Sequence, residues 1–251
     1  AILGYSQLLQ DDDNLTKAQQ DSLKTINKSG EHLLELINDI LDMSKIEAGR
    51  TTLNPSDFNL IELVKEVEEL FKIKANQKNI DLSFTIAKNV LAVIYADEAK
   101  IKQVIINLIG NSLKFTSEGF VKVSVENLQN HVLQIKVKDS GKGILKEEQE
   151  AIFRPFEQAQ NGRQTEGGTG LGLAISRKFS KLMEGDITIE SEYGKGAEFA
   201  FSFKYLEGNE SILKSDKEEL QVASLSPEMK GLKVAIVDDR FENRDILYKK
   251  F

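Results

Sequence analysis

The sequence contains no cysteine, only two histidines and no long hydrophobic run. The absence of cysteine excludes disulfide bonds and thiolate metal sites, and it is compatible with a reducing compartment. No apolar stretch is long enough to cross a bilayer, and no signal-peptide pattern opens the chain. We therefore expect a cytoplasmic segment without a membrane contact of its own.

Acidic residues outnumber basic ones, and the net charge of the 251 residues is −7. This balance argues against a nucleic-acid partner. The hydrophobic and charged fractions, 40% and 29%, are those of a soluble globular protein long enough for more than one domain. Because the first residue, Ala1, already lies within an amphipathic pattern, we interpret the chain as part of a longer protein. If that protein has a membrane anchor, we expect it upstream of Ala1.

Residues 1–50 are predicted to form a helical hairpin. A short amphipathic helix is followed by a polar turn. The pair Thr16 and Gln19 then fits a capping box at the start of a second helix, which Gly49 ends. One face of the second helix is formed by Leu33, Ile37, Ile40, Leu41 and Ser44. A single hairpin cannot bury this face, so we expect a homodimer in which two chains form a four-helix bundle.

Residues 51–206 are predicted to be an α+β domain. The segments IDLSFTI, FVKVSVENL, HVLQIKVKD and EFAFSFKY have strand patterns, and DEAKIKQVIINLIGNSLKF has the period of an amphipathic helix. We expect a sheet with one face covered by helices. The polar residues 207–230 are interpreted as a linker. The buried-strand pattern LKVAIVDD and the helical pattern after it, in residues 231–251, are interpreted as the start of a truncated further domain.

The segment IINLIGNSLKFT brings two asparagines and a lysine close together on the predicted helix. Asn107 and Asn111 are four residues apart and share a face, and Lys114 follows on an adjacent strip. An amide oxygen can bind Mg²⁺ without repelling a triphosphate, and a lysine can pair with phosphate. Taken alone, the motif is more often a pair of asparagines that cap or bridge helices.

Asp139 ends an apolar strand in the segment VKDSGKGI. A carboxylate there can accept a hydrogen bond from the exocyclic amine of adenine, which guanine does not offer at that position. Gly141 and Gly143 allow the backbone to come close and to adopt positive φ. The alternative is a plain turn after a strand.

Three further segments follow, namely IFRPFEQ with Phe153 and Phe156, AQNGRQTEGG, and GGTGLGLAISRKF. The aromatic pair could pack a mobile flap or belong to the core, and the polar run could be a lid or a simple loop. Gly168, Gly170 and Gly172 precede a helix whose N-terminus can bind an anion. The segment is not a Walker motif, because no Gly-Lys-Ser/Thr follows, and the absence of a βαβ unit excludes a dinucleotide fingerprint.

Taken together and in this order, NLIGNSLKFT, DSGKGI, FRPFEQ and GGTGLGLAI resemble the N, first glycine, F and second glycine boxes of the sensor histidine kinase ATPase domain. The hairpin, which ends INDILDMSKIEAG, resembles the dimerisation and phosphoacceptor hairpin of the same family. The C-terminal LKVAIVDDRFENRDIL resembles the first strand and helix of a response-regulator receiver domain. The combination resembles a hybrid histidine kinase, which implies an α/β sandwich ATPase domain of the GHKL type followed by the first βα unit of a receiver domain.

The resemblance implies that ATP and Mg²⁺ are cofactors and that the γ-phosphoryl group of ATP is transferred to a histidine, a reaction that depends mostly on positioning and charge neutralisation. It implies that Asn111 and Lys114 act in catalysis, that Asn111 binds Mg²⁺, and that Asp139 recognises adenine. The other residues implied to border the nucleotide are Asn107, Gly141, Gly143, Phe156, Gly168, Thr169, Gly170, Leu171 and Gly172. A lid is expected between Phe156 and Gly168. In the receiver segment, Asp238 and Asp239 are expected to bind Mg²⁺.

The phosphoacceptor histidine of the family lies in a box on the first helix, and AILGYSQLL resembles the segment just after that box. We therefore expect the acceptor to lie upstream of Ala1, outside this chain. His32 lies on the second helix, follows Glu31 rather than preceding an acid, and is expected to flank the bundle core. His131 starts a strand and is also expected to have no catalytic role.

Two alternatives to a kinase remain. An ATPase of the same superfamily, such as a topoisomerase or a chaperone, would need a carboxylate base on the asparagine-bearing helix, where Glu98 lies near the start, well before Asn107. A dimeric scaffold that senses nucleotide without kinase activity would keep the same binding residues. For the kinase, the expected partners are a second copy of the chain and a receiver domain in cis, or a response regulator or phosphotransfer protein in trans.

Overall fold

The computed structural model describes residues 2–10, 14–157 and 169–211. The described residues form two compact units, one within residues 1–40 and one within residues 41–218. None of the described helices is both long enough and apolar enough to cross a membrane. The predicted receiver segment, with Asp238 and Asp239, lies outside the described residues.

The N-terminal elements are two helices, α1 (Ile2–Gln10) and α2 (Lys17–Glu47). The predicted capping box is confirmed, because the Thr16 backbone N donates to Gln19 Oε1 (2.9 Å) and the Gln19 backbone N donates to Thr16 Oγ1 (3.4 Å). Gly49, with φ of 64°, follows the end of α2 as predicted.

The first unit is a helical hairpin. Asn27 Nδ2 on α2 donates to Gln10 Oε1 on α1 (2.9 Å), and Gly30 lies directly against the side chain of Leu3. Several large apolar side chains of α2 nevertheless remain between 45% and 58% exposed: Ile26, Leu33, Leu34, Ile37 and Ile40. The predicted apolar face of the second helix is therefore left uncovered in a single chain.

The second unit contains the α+β domain that the sequence predicts. Its elements are β1 (Ser56–Asn59), α3 (Leu60–Gln77), β2 (Ile80–Ile86), β3 (Val93–Ala96), α4 (Glu98–Phe115), β4 (Gly119–Asn127), β5 (Val132–Asp139), a 3₁₀ turn (Ala151–Phe153), α5 (Gly172–Leu182), β6 (Ile187–Glu192), β7 (Gly196–Lys204) and β8 (Leu206–Glu207).

Five of the strands form one sheet in the order β2-β4-β5-β7-β6, in which only the pair β2 and β4 is parallel. The predicted alternation is confirmed, because one face of β4, β5 and β7 is buried. Its side chains are Val121, Val123, Val125, Leu133, Ile135, Val137, Phe199, Phe201 and Phe203. Helices α3, α4 and α5 contact the sheet, which gives the predicted two-layer architecture.

Helix α4 is the element that positions the predicted site. Asp97 caps its N-terminus by accepting a hydrogen bond from the Lys100 backbone N at Oδ1 (3.0 Å). Its buried residues are Ile101, Val104, Ile105, Leu108, Ile109, Ser112 and Leu113. Because this side packs in the core, the polar side chains of Asn107, Asn111 and Lys114 lie along its partly exposed edge.

The predicted linker begins too early at Glu207. Leu206 and Glu207 form β8, which pairs with β3 in a second sheet of order β1-β3-β8. The Gly208 backbone N donates to Val93 O (3.3 Å), and the Asn209 backbone N donates to Asp57 Oδ1 (3.0 Å). Because these hydrogen bonds reach a distant part of the chain, the local polar composition gave no sign of them.

Candidate functional site

Asp139 lies at the end of β5 and is only 5% exposed. Its Oδ1 accepts hydrogen bonds from the backbone N of Gly141 (2.9 Å) and of Ala197 (3.3 Å), and its Oδ2 accepts one from Ser112 Oγ (3.0 Å). Burial raises the pKa of the Asp139 carboxyl above its ordinary value, and the three hydrogen bonds oppose that rise only in part. The group is a buried acceptor held in one orientation.

The two glycines after Asp139 serve different purposes. A Cβ at Gly141 would lie 2.7 Å from the backbone oxygen of Phe115, so this glycine allows the turn to approach the end of α4. Gly143 has φ of 67°, and a Cβ there would overlap the backbone oxygen of Glu192. The expectation of positive φ is therefore confirmed for Gly143 and wrong for Gly141, where close packing is the reason for glycine.

The predicted asparagine pair is linked by hydrogen bonds. Asn111 Nδ2 donates to Asn107 Oδ1 (3.2 Å), and Asn107 Nδ2 donates to Ser176 Oγ (2.8 Å) on α5. A Cβ at Gly172, the first residue of α5, would lie only 2.5 Å from Asn107 Oδ1. Glycine therefore allows α5 to begin against the asparagine pair without displacing the Asn107 amide.

Helix α4 links Asp139 to the asparagine pair. Ser112, which contacts Asp139, and Asn111, which contacts Asn107, are consecutive residues of this helix. Lys114 lies two residues further, with its Nζ 5.2 Å from the centroid of the Phe115 ring. The helix thus brings together residues that belong to three separate sequence motifs.

The F-box residues separate into one buried and one exposed side chain. Phe153 is buried beneath the guanidinium of Arg177, whose carbon lies 4.5 Å from the ring centroid. Phe156 is 67% exposed, so the alternative of a core aromatic pair is wrong for this residue. Its backbone has φ of 64°, a strained value for a bulky residue, and its N donates to Gly170 O (3.0 Å).

The second glycine motif is described from Thr169 onward. Thr169 Oγ1 accepts a hydrogen bond from the Leu171 backbone N (3.0 Å), and the Leu171 side chain is fully buried. Gly170 adopts φ of 71° beside the backbone of Phe156. Gly168 and the predicted lid after residue 157 lie outside the described residues.

The donors fit a metal ion that arrives together with phosphates. Among the residues that the structure describes, no group of three or more His, Asp or Glu side chains could hold a metal ion. Because Asn111 donates its amide to Asn107, its own Oδ1 is left as a neutral oxygen at the partly exposed edge of α4. Mg²⁺ typically takes few protein ligands and completes its shell with phosphate and water.

Two serines of the site were missed by sequence reasoning. Ser112 contacts Asp139 and Ser176 contacts Asn107, and both serines are buried. A serine in the apolar stripe of a helix is a signal that could have found them, because a buried hydroxyl requires a hydrogen-bond partner. Of the two histidines, His32 lies on α2 and His131 immediately precedes β5.

Two family models match the chain. The model described as histidine kinase-, DNA gyrase B- and HSP90-like ATPase matches residues 96–207. The model described as the His Kinase A phospho-acceptor domain matches residues 1–49. The chain belongs to the histidine kinases of two-component systems. The phosphoacceptor domain comes first in the chain and the ATP-binding domain follows it, which is the order expected for a histidine kinase.

Curated relatives are much longer than this histidine kinase chain. The sensor protein GacS of Pseudomonas syringae pv. syringae is 36% identical over 242 residues, which are 94% of this chain and 26% of that protein. The hybrid signal transduction protein dokA of Dictyostelium discoideum is 40% identical over 213 residues, 81% of this chain and 13% of that protein. The chain spans about a quarter or less of the length of these two relatives.

Solved histidine kinase structures share the fold. Full-length ShkA in complex with AMPPNP has a TM-score of 0.70 at 30% identity, covering 82% of this chain and 43% of that one. The catalytic domain of ThkA has a TM-score of 0.53 at 35% identity, covering 60% of this chain and 95% of that one. ThkA in complex with the response regulator protein TrrA has a TM-score of 0.58 at 28% identity, covering 81% of this chain and 56% of that one.

Proposed function

We propose that this kinase core binds ATP with Mg²⁺ along α4 and transfers the γ-phosphoryl group to a histidine of the phosphoacceptor domain. In this transfer the bond between the γ-phosphorus and the bridging oxygen breaks, a bond to an imidazole nitrogen forms, and ADP leaves. The observation that carries the proposal is the adjacency on α4 of Ser112, which fixes Asp139, and Asn111, which completes the asparagine pair.

In this proposal Asp139 recognises the base. Among the described residues, Ser112 alone donates a hydrogen bond to its Oδ2, so one lone pair can accept the exocyclic amine of adenine. On the phosphate side, Asn111 holds Mg²⁺ through Oδ1, Asn107 orients Asn111, and Lys114 pairs with a phosphate. The metal ion would neutralise charge on the phosphates.

The backbone of the second glycine motif completes the phosphate side. Gly172 allows the N-terminus of α5 to begin against Asn107, so the free amides of the first turn and the helix dipole favour a nearby anion. Thr169, Gly170 and Leu171 shape the chain that leads to this helix start. The close contact of Gly170 with Phe156 positions the F box beside the same end of α5.

The test of base recognition is the variant Asp139→Asn. Its Oδ1 can still accept from Gly141 and Ala197, but an amide NH₂ replaces the acceptor Oδ2. ATP affinity should therefore fall by about tenfold to a hundredfold, while affinity for ITP, which has a carbonyl at C6, should rise. Asp81→Asn, the same change on an exposed residue of β2, is the control. An unchanged ratio of the two affinities in Asp139→Asn would contradict the role.

We propose that the acceptor is not His32. This residue is the only histidine within the matched phosphoacceptor region, since α1 as described contains none. However, it lies on the second helix, with its Nδ1 3.9 Å from Glu35 Oε2, and the family acceptor lies on the first helix. A chain extended upstream should carry acid-labile, alkali-stable label from γ-labelled ATP, and His32→Ala should leave that label unchanged. Loss of label in His32→Ala would identify His32 as the acceptor.

The ATPase alternative lacks a suitable base. Glu98 is the only carboxylate on α4 and is its first residue, nine residues before Asn107, or about 13 Å along the helix axis. Steady ATP consumption without any phosphohistidine would nevertheless favour that alternative.

We propose that two copies of the chain pair through the exposed apolar face of α2. Replacing Leu33 and Ile37 by aspartate should give a monomer in sedimentation, because charged side chains cannot be buried in a bundle core. The matched control places aspartate at the exposed polar positions Ser29 and Lys28 of the same helix. A control that dissociates equally would contradict this interface.

We also propose a receiver aspartate as the next acceptor of the phosphoryl group, in cis or in trans. Support comes from the relative named as a hybrid protein and from the solved complex of ThkA with a response regulator. Phosphorylated extended chain should lose its label to a purified receiver domain. A receiver whose acceptor aspartate is replaced by alanine is the control, and label loss to that control would contradict aspartyl transfer.

A further inference from the structure

Ser112 is the one polar residue among the buried residues of α4, and it is only 1% exposed. A hydroxyl at such a position is unfavourable unless it is hydrogen-bonded. Its partner is Asp139, 27 residues further along the chain, to whose Oδ2 it donates over 3.0 Å. The hydroxyl therefore donates its hydrogen bond to the carboxylate of Asp139 and not to the backbone of its own helix.

The two carboxylate oxygens of Asp139 accept different numbers of hydrogen bonds. Oδ1 accepts two hydrogen bonds, from the backbone N of Gly141 and of Ala197, so both of its lone-pair sites are filled. From the residues that the structure describes, Oδ2 accepts one hydrogen bond, from Ser112, and retains one lone-pair site. Without the Ser112 hydroxyl, both sites on Oδ2 would be free, and the direction from which a base could approach would no longer be unique.

We propose that Ser112 is a specificity-determining positioning residue, whose hydroxyl leaves Asp139 a single acceptor site and so makes the kinase select a 6-aminopurine over a 6-oxopurine nucleotide. This inference rests on the proposed base-reading role of Asp139. It adds that the selectivity is not a property of the carboxylate alone. It depends equally on a donor supplied by α4, the helix that also carries the asparagine pair.

The charge state of Asp139 also affects which nucleotide base the site prefers. Among the described residues, Ser112 from α4, Ala197 from β7 and Gly141 from the following turn donate hydrogen bonds to the carboxyl, and Val121 of β4 pairs with Asp139 across the sheet; none of these four is charged. Burial raises the pKa of Asp139, and the Ser112 hydroxyl is one of three donors that lower it. Removing the hydroxyl should raise this pKa further. A protonated carboxyl becomes a donor and then suits a C6 carbonyl better than a C6 amine.

The experiment compares ATP and ITP dissociation constants for the full chain and for Ser112→Ala, from neutral pH down to about pH 5. Both nucleotides share the same phosphates, so the ratio of the constants cancels phosphate titration. Ser112→Ala should reduce the preference for ATP about tenfold at neutral pH, which corresponds to loss of one hydrogen bond to a charged group. The pH at which the preference disappears should move upward.

Two further variants separate positioning from general damage. Ser112→Thr retains the hydroxyl and should restore the preference for ATP and its pH profile. Ser180→Ala removes another buried hydroxyl, on α5, which donates to Ser202 O (2.8 Å), and should leave the nucleotide ratio unchanged. Unfolding midpoints of all variants show that each is folded during the measurement.

The outcomes distinguish this inference from the proposal on which it rests. If Ser112→Ala weakens ATP and ITP equally, or leaves their ratio and its pH profile unchanged, the specificity role of Ser112 is overturned. If Asp139→Asn also leaves the ratio unchanged, the base-reading role of Asp139 is overturned together with it. A reversed preference in Asp139→Asn combined with an unchanged ratio in Ser112→Ala would overturn the Ser112 inference alone.

Discussion

The two ends of the candidate site are built differently. At the proposed base end, Asp139 is almost fully buried and accepts three hydrogen bonds from three separate elements. At the proposed phosphate end, Asn107 and Asn111 are only half-buried and bond to each other and to Ser176. The first end therefore holds one carboxylate in place through several elements, whereas the second is a chain of half-buried amides.

The largest effect is expected at the phosphate end, from Asn111→Ala. This change removes the proposed metal ligand, so the rate of phosphoryl transfer should fall by about a hundredfold or more. The remaining ATP affinity should no longer respond to Mg²⁺, which titration calorimetry with and without the metal would measure. Gln103→Ala removes an exposed amide from the same helix and is the control. A Mg²⁺ response as strong as in the parent would contradict the assignment.

A smaller effect is expected from Gly172→Ala, which tests how closely α5 approaches the asparagine pair. The added Cβ would lie 2.5 Å from Asn107 Oδ1, so the free energy of unfolding should fall by about 1–3 kcal/mol. Chemical denaturation would measure this change.

Gly110→Ala on α4 is the matched control, because its Cβ would come no closer than 3.9 Å to the ring of Phe71 on α3. Helix propensity should make that variant neutral or more stable by up to about 1 kcal/mol. If Gly172→Ala is as stable as Gly110→Ala, the close contact between α5 and Asn107 does not exist in solution.

The next smaller effect is expected from Arg177→Met, which tests how the F box is held beside the proposed phosphate end. The Arg177 Nε donates to Asp186 Oδ1 (3.0 Å), its Nη1 donates to Glu150 Oε2 (3.1 Å), and its guanidinium covers Phe153. Because Glu150 is mostly exposed, we expect a loss of only about 1 kcal/mol in the free energy of unfolding. Lys178→Met, at the next and exposed position of α5, should have no such effect in the same denaturation experiment.

The smallest expected effect is a difference in how the stability contributions of Asp139 and Asn111 depend on pH. Because the pKa of Asp139 is raised in the folded state, its contribution to stability falls as the pH rises from its ordinary value, 3.8, through the folded value. The stability of the parent relative to Asp139→Asn should therefore decrease with rising pH in that window. The stability of the parent relative to Asn111→Ala should stay flat, since amides do not titrate. Parallel profiles would contradict the difference.

The pKa of Asp186 is shifted in the opposite direction to that of Asp139, so the pH dependence of its stability contribution is also opposite. Burial acts to raise its pKa, but hydrogen bonds from Lys181, Arg177 and the backbone N of Ile187, together with the charge of Arg177, lower it overall. Its stabilising contribution is thus present above the ordinary value and is lost as the pH falls through the lower folded value. In Arg177→Met this part of the acid sensitivity should shrink.

The local sequence pattern was enough to predict much of the secondary structure and the positions of several candidate site residues. Helical period was enough to place Asn107 and Asn111 on one face of α4, and strand alternation was enough to predict the buried faces of β4, β5 and β7. Ordered motifs then indicated the family, which the matched models confirm. These predictions succeeded because neighbours within a turn or along a strand have a geometry that the backbone itself fixes.

The tertiary structure alone decided which groups meet. Ser112 reaches Asp139 across 27 residues, Asn107 reaches Ser176 across 69, and the Asn209 backbone reaches Asp57 across 152. It also decided that Gly141 and Gly172 are glycines for lack of space rather than for positive φ. The physical reason is that such contacts depend on how helices and sheet pack, and no local pattern of residues encodes a partner that far along the chain.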